Sequence, residues 1–445
     1  MTERGQALSV ILAVTERHAY LKDALEQELG SGKAEHRSYI GKVTRGVIER
    51  LIELDTRLNA ITAKNIKRLH PVVRGILRLG TYELLYMDSI PPSASVNEAV
   101  KLAKAKGQAR AAGMVNAVLR RVADAPLPDF VITDPDTAAS LSVRYSMPEW
   151  IVGLWLKQFG SEQTKEMLAA SLAERALTIR VNLSRGPVEE LLQCFEAKGI
   201  RASRIPDKPM ALSLPMGTNI TALPGYPEGW FYVQDISSMS VCLMADIHLG
   251  EHVLDLCASP GGKSLHAADL TGSDGLVEAR DLTPQKLERI EENQRRCGFS
   301  QIRTKAADAT VPDPACVEQF DVVLVDAPCS GLGVLGRKPE IKYRVKPEDI
   351  EQLAVIQGQI LTAAASYVKK GGRLVYSTCT LSDAENSGQI RQFVKTHPQY
   401  RISREELLLP QTGLPGNDGF YICVMNRAPA IESVRRKNKN RTASR

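Results

Sequence analysis

Along the first quarter of the chain, apolar residues return every three or four positions. Val43, Val47, Ile48, Leu51, Ile52 and Leu54 make one such stripe, and Val72, Ile76, Leu79, Leu84 and Leu85 make another. This spacing puts one apolar face on an α-helix. From residue 7 to about 122 the pattern predicts an all-helical bundle. Pro91 and Pro92 interrupt it, and Ser95-Val96-Asn97-Glu98 reads as the start of a further helix, with Ser95 as N-cap and Glu98 three residues on. The stretch 123–135, where Pro126, Pro128 and Pro135 stand among aspartates, reads as a linker.

Beyond the linker the periodicity changes. Residues 148–159, a segment from Glu162, and residues 187–198 predict helices. Leu177-Thr178-Ile179-Arg180-Val181-Asn182-Leu183 alternates as a strand does, and Trp230-Phe231-Tyr232-Val233 predicts a second strand. After residue 250, short apolar runs at 253–256, 276–279, 322–325 and 373–376 are separated by helical stretches. A parallel, doubly wound sheet with covering helices is encoded in this way. The expected organisation is an all-helical domain over residues 1–130, a small α+β connecting domain over 131–245 and an α/β domain over 246–430. A basic tail, expected to be disordered, occupies 431–445.

Hydrophobic residues make up 43% of the 445 and charged residues 24%, which excludes a collagenous, coiled-coil or wholly disordered chain. The apolar stretch at residues 7–14 is too short to span a bilayer and runs into Glu16-Arg17-His18 without a cleavage signal, so a cytoplasmic protein is expected. Net charge is +6 and unevenly spread. Residues 1–130 hold 20 Lys/Arg against 14 Asp/Glu, residues 434–445 hold 6 against none, and the remainder is net negative. A basic first domain and a basic end suit a polyanionic partner, although a charged tail serves solubility equally well. Eight cysteines occur without a C-x-x-C pair or a Cys/His cluster, which supports neither a metal site nor a disulfide framework. Most are expected to be small buried hydrophobes.

In an open α/β sheet, ligands gather at the carboxyl ends of the strands. The turn after the first apolar run reads Asp255-Leu256-Cys257-Ala258-Ser259-Pro260-Gly261-Gly262-Lys263-Ser264. Gly261 and Gly262 allow close backbone approach, and the helix start behind them offers free N–H groups. A phosphate loop is excluded because Cys257 stands where its first glycine belongs, and G-x-G-x-x-G is absent. Asp281, Asp308 and Asp326 end the neighbouring strands. Each alone would pass for a cap or strand end. Three around one glycine turn suit a ligand rich in hydroxyl and amino donors with positive character, such as a nucleoside sulfonium. Glu278 competes with Asp281, which lies nearer the strand end. Two thiols follow strands at the same edge, Cys329 in Asp326-Ala327-Pro328-Cys329-Ser330-Gly331 and Cys379 in Tyr376-Ser377-Thr378-Cys379-Thr380. A helix is expected close after Cys379, with Ser382 and Glu385 as its capping box, and its positive end would favour a thiolate. A buried packing role is the alternative for each thiol.

These two cysteine segments, with the run from Cys257 to Lys263, resemble the Nop/Sun-type RNA cytosine-5 methyltransferases. Val96-Asn97-Glu98-Ala99-Val100 and Val115-Asn116-Ala117-Val118-Leu119-Arg120 resemble the NusB-type helical RNA-binding domain. Together the two parts resemble bacterial 16S ribosomal RNA methyltransferases over roughly residues 5–427. The resemblance implies a NusB-like bundle ahead of a Rossmann-like methyltransferase domain and S-adenosylmethionine as cofactor. It also implies 16S ribosomal RNA or an early small-subunit precursor as partner, with no membrane and no metal. By the same resemblance Cys379 attacks carbon 6 of a cytosine, Cys329 assists loss of the carbon 5 proton or product release, and Asp326 meets N3. Cys257, Ala258, Ser259, Pro260, Gly261, Gly262 and Lys263 would hold the methionine end of the cofactor, Asp281 its ribose, and Asp308 the adenine side, with Asp326 bordering both pockets. The chain departs from the pattern at Ser259, at Arg280 and in Ala384-Glu385-Asn386-Ser387. Arg337, Lys338, Lys342 and Arg344 are candidates for RNA phosphates or form a solvated loop. A transfer RNA methyltransferase of the same chemistry, and a non-enzymatic NusB-like RNA-binding or antitermination factor, stay open.

Overall fold

A computed structural model of the chain describes residues 2–30, 34–62, 65–124, 134–413 and 415–429. Most of the proposed linker and the basic tail lie outside them. The first stretch is helical, from Glu3–Arg17 through Ala34–Glu49, Leu51–Ile61 and Pro71–Tyr86 to Ala112–Asp124. The predicted apolar stripes face inward. Val43, Val47, Ile48, Leu51 and Leu54 pack with Ile11 and Leu79 in one core, and Ile76, Val96, Val115 and Leu119 form a second. The helix expected from Ser95 starts three residues earlier. It spans Pro92–Ala105 with Pro91 as its N-cap, and Ser95 is buried inside it. A proline in the first turn gives up only an N–H that has no helical partner, so Pro92 opens this helix.

Helices Ala138–Arg144, Glu149–Phe159 and Ser161–Leu172 lead into a four-stranded antiparallel sheet of order β2-β3-β1-β4. Its strands are β1 (Leu177–Val181), β2 (Ser203–Ile205), β3 (Lys208–Leu214) and β4 (Phe231–Val233). β1 ends two residues short of the alternating run because Asn182 turns aside, its Nδ2 donating to Gly229 O (2.9 Å) and Cys297 O (3.0 Å). β2 and β3 carry little sequence signal, since one is three residues long and the other contains Pro209.

The remaining strands are β5 (His252–Asp255), β6 (Leu276–Asp281), β7 (Ile302–Ala306), β8 (Phe320–Asp326), β9 (Val368–Thr378), β10 (Tyr400–Leu408) and β11 (Phe420–Arg427). They form a seven-stranded sheet of order β10-β11-β9-β8-β5-β6-β7. β7, β6, β5, β8 and β9 run parallel, as expected for a doubly wound sheet. β11 pairs antiparallel with both β9 and β10 and adds a hairpin that the apolar runs do not announce. The edge strands β7 and β10 escape sequence reading because they carry charges, among them Arg303, Lys305, Arg401, Arg404 and Glu405. Such charges are the usual guard on an unpaired strand edge. Chain order reverses at β5, whose neighbours are β6 and β8, so a crevice opens at the carboxyl ends of β5 and β8.

The basic segment after Cys329 is neither an RNA-facing patch nor a solvated loop. It joins the first helical domain to the sheet domain. Lys342 Nζ donates to Glu49 O (2.8 Å), Leu21 N to Glu340 Oε1 (3.2 Å), and the Arg344 guanidinium lies 3.9 Å from the centroid of Tyr20. Arg337 pairs with Asp235 and with Asp418. Lys338 alone of the four candidate cations is exposed. Their spacing looked like a phosphate-binding loop because cations that bridge domains and cations that bind phosphate leave the same mark in a sequence.

Burial holds Lys342 down to about 7, against the attraction of Glu49 and with a further push from Arg50. A lysine whose folded value is depressed destabilises the fold wherever the unfolded chain would be protonated. The penalty is almost complete at pH 7 and below, and fades as pH rises toward 10.5. Lys342→Met should therefore raise the melting temperature by roughly 2 °C or more near pH 7. Melting curves of both proteins from pH 6 to 10 should show that advantage shrinking as pH rises.

Candidate active site

The turn after β5 is tied to both neighbouring strands, with Leu256 N donating to Leu324 O (3.0 Å) and Ala258 N to Arg280 O (2.8 Å). Gly261 has φ +104°, which calls for glycine, and a Cβ there would also stand tightly, 3.3 Å from the Ile290 side chain. Gly262 opens the helix Gly262–Thr271. No side chain comes nearer than 3.7 Å to the place of its missing Cβ, where the Gln234 amide lies. That amide is buried and both its polar atoms lack a partner, as does Asp255 Oδ1. Asp255 is pushed up to about 7 by burial, while its other oxygen accepts from Ser264 Oγ (2.7 Å). Burial and the Asp255, Asp326 and Asp281 carboxylates push the Cys257 thiol well up, so it lines the turn as a neutral group.

The three strand-end aspartates take different positions. Asp281 is buried at the end of β6, accepting from Ser259 N (2.9 Å) and Leu282 N (2.7 Å) and pairing with Lys286 (2.9 Å). Glu278 pairs with Arg280 instead. Arg280 itself is buried, pairs also with Asp313 (3.1 Å) and donates to Cys316 Sγ (2.8 Å), so this departure from the family pattern is absorbed beneath the sheet end. Asp308 lies exposed two residues beyond β7, its carboxylate lowered by hydrogen bonds from Thr310 Oγ1 (2.7 Å) and Thr310 N (2.9 Å). It stands at the rim, apart from the buried Asp281. Asp326, at the end of β8, accepts from Lys263 Nζ (2.6 Å) and Ser377 Oγ (2.9 Å), which links the cofactor turn, β8 and β9.

The two thiols meet. Cys329 Sγ and Cys379 Sγ are 3.4 Å apart. Their loops are held by a buried carboxylate: Ser330 N donates to Glu385 Oε1 (2.8 Å) and Ser330 Oγ to Glu385 Oε2 (2.6 Å). Asn386 spans the Cys379 turn, accepting from Thr378 Oγ1 (2.6 Å) and donating to Thr380 O (3.0 Å). Gly333 N donates to Cys379 O (2.9 Å), and a Cβ on Gly333 would collide with the Gly419 carbonyl. The hydrogen bond with Cys379 and then burial raise the Cys329 thiol, so it stays neutral beside Cys379 Sγ.

One expectation fails here. Ser382 makes no side-chain cap, Asp383–Glu385 is a single 3-10 turn, and the following helix begins only at Ser387. Glu385 reaches away to Ser330 rather than back to Ser382, and the α-helix starts eight residues past Cys379. The pattern misled because a local capping box and a tie across 55 residues use the same glutamate. Glu385, Asn386, Ser330 and Ser377 were missed as site residues. The only signal was the altered run Ala384-Glu385-Asn386-Ser387.

Residues 242–426 match the family described as 16S rRNA methyltransferase RsmB/F, residues 1–124 the NusB family, and residues 147–221 the ferredoxin-like domain of RsmF/B-like methyltransferases. The chain is 36% identical to the probable ribosomal RNA small subunit methyltransferase B of Bacillus subtilis (strain 168), over 95% of this chain and 98% of that protein. The chain belongs to the RsmB/F methyltransferase family. Its fold is shared by PH0851 (TM-score 0.78, 23% identity, 96% of this chain and 99% of that one). It is also shared by NSun6 from Pyrococcus horikoshii with SFG (TM-score 0.56, 21% identity, 63% and 98%).

S-adenosylmethionine is the cofactor of this family, and the crevice suits it. Asp281 retains acceptor capacity beyond its two backbone donors and Lys286 for a ribose diol, the backbone at Gly262 has no side chain nearer than 3.7 Å to its missing Cβ, and the unpartnered Gln234 amide is free for a polar group at the methionine end. Among the described residues no group of three or more His, Cys, Asp or Glu could hold a metal ion, and no helix is long and apolar enough to cross a membrane. Asp281→Ala should weaken S-adenosylmethionine binding about tenfold or more, the worth of one hydrogen bond to a charged group, whereas Glu278→Ala should change it less than about twofold. Calorimetric titration of both variants decides this, and equal small losses would remove Asp281 from the site.

Proposed function

We propose that the chain methylates carbon 5 of a cytosine in 16S ribosomal RNA through a covalent bond between Cys379 and carbon 6. The observation that carries this reading is the thiol pair, 3.4 Å apart beside the Lys263–Asp326 ion pair and next to the cofactor turn. Carbon 5 of cytosine is a poor nucleophile until something adds at carbon 6. Cys379 Sγ forms that bond, and the carbon 5–carbon 6 π electrons become available at carbon 5. Negative charge spreads toward N3 and the carbonyl, and is offset there by the Lys263 ammonium that donates to Asp326. S-adenosylmethionine supplies the methyl group and leaves as a neutral thioether. Cys329 Sγ then takes the carbon 5 proton as its own S–H proton passes to Cys379 Sγ. The carbon 5–carbon 6 double bond reforms and the Cys379 carbon–sulfur bond breaks. The proton gained by Cys379 goes to solvent.

The base must leave its stack to reach this edge. A first domain with 20 Lys/Arg against 14 Asp/Glu through residue 130 supports docking of a structured RNA or an early small-subunit precursor, in the compartment where ribosomes assemble. The NusB match and the ribosomal small-subunit relative favour ribosomal over transfer RNA. An intact cofactor turn with both thiols disfavours a non-enzymatic factor.

Bisulfite sequencing of total RNA from cells with and without the protein should show one protected cytosine of 16S ribosomal RNA that loses protection. A change confined to a transfer RNA would reassign the substrate. Cys379→Ala should abolish methylation with no adduct, and Cys329→Ala should accumulate a covalent protein–RNA complex on a denaturing gel. The reverse pattern would make Cys329 the nucleophile.

A further inference from the structure

We infer that the N-terminal helical domain positions the catalytic thiols, acting through the segment 330–344 that follows Cys329, with Arg45 as a positioning residue. The inference rests on the roles proposed above for Cys329 and Cys379. Segment 330–344 is a strap fixed at both ends. Its near end belongs to the active site, because Ser330 is held by Glu385, and Gly333 bonds Cys379 O through its N–H and accepts from Gly419 N (2.8 Å) through its carbonyl. Its far end meets the first domain, while Arg337 within it also pairs with Asp235 and Asp418 beside the sheet. Arg45, on the helix Ala34–Glu49, donates to Gly336 O and reaches Arg337 O (3.5 Å), Lys342 Nζ bonds Glu49 O, and Tyr343 packs against the core of the first bundle.

Only Val334 and Leu335 separate the two anchorages. Leu335 is 3% exposed, packed with Leu332, Ile151 and Trp155, so the short connection has no slack in which a shift could dissipate. Gly336 leaves no room for a side chain, since a Cβ there would stand 2.6 Å from the Arg175 guanidinium. A displacement of the far end therefore reaches the Cys329 loop and the Cys379 carbonyl, where an ångström decides whether the proton relay closes. Arg45 itself touches no reacting atom. It is also held by Glu49 (2.6 Å), which keeps its guanidinium facing the strap.

A domain that only docks RNA and one that also sets the thiols differ in what their loss does to the covalent intermediate. Arg45→Met keeps the side-chain stem and removes the donors. In the full chain it should lower turnover about tenfold and leave RNA affinity within about twofold. It should also accumulate the same covalent complex on a denaturing gel that Cys329→Ala produces. Weaker RNA binding without adduct would make Arg45 a docking residue, and reduced turnover without adduct would make its role one of stability alone. Unchanged turnover would remove the coupling altogether. Absence of adduct in Cys329→Ala itself would instead overturn the thiol assignment, so the two failures are told apart on one gel.

Discussion

The edge of the sheet where the two thiols meet depends on the burial of one carboxylate. Glu385 is fully enclosed and pushed up by that burial, yet it accepts from Ser330 N, Ser330 Oγ and Gln357 Nε2, with Thr380 close by. A buried acid costs several kcal/mol unless donors surround it, so these groups converge together or not at all. Because Ser330 follows Cys329 and Glu385 lies six residues past Cys379, satisfying the carboxylate also fixes the distance between the thiols. Asn386, next in sequence, applies the same constraint to the backbone on either side of Cys379.

The charges at the sheet's carboxyl edge follow a related logic. Asp255, Asp281 and Asp326 crowd the ends of β5, β6 and β8, and mutual repulsion alone would disfavour them. Lys263 Nζ, over the Phe420 ring (5.2 Å) and bonded to Asp326, supplies the offsetting charge from the first turn of the cofactor helix. The glycine turn and the end of β8 thus share one ion pair. The lysine that completes the apparent phosphate-loop ending Gly262-Lys263-Ser264 turns to a carboxylate, and Ser264 turns to Asp255.

What was legible in the sequence was local. Helical stripes, the four apolar strand runs, the glycine turn and both cysteines stand in contiguous segments whose spacing carries their meaning. Asp281 could be preferred over Glu278 by position along one strand. The unreadable features depend on partners far away in sequence. Glu385 looked like a cap because its true partner is 55 residues upstream, and Lys342 looked solvent-facing because the carbonyl it bonds is Glu49 O, 293 residues away. Edge strands β7 and β10 were hidden for another reason, since the charges that keep them from pairing with other chains erase the alternation that marks a strand.

The strap also bears on how the molecule comes to be made. Both cores of the first bundle are built from residues up to Leu119, with Tyr343 added against one of them. During synthesis the bundle can therefore close long before its docking segment exists. At roughly 5–20 residues per second, on the order of ten to forty seconds pass before Lys342 and Tyr343 leave the ribosome. Through that interval the surface around Glu49 and Tyr20 has no strap to cover it, and a newborn chain carries a finished helical domain ahead of its methyltransferase half.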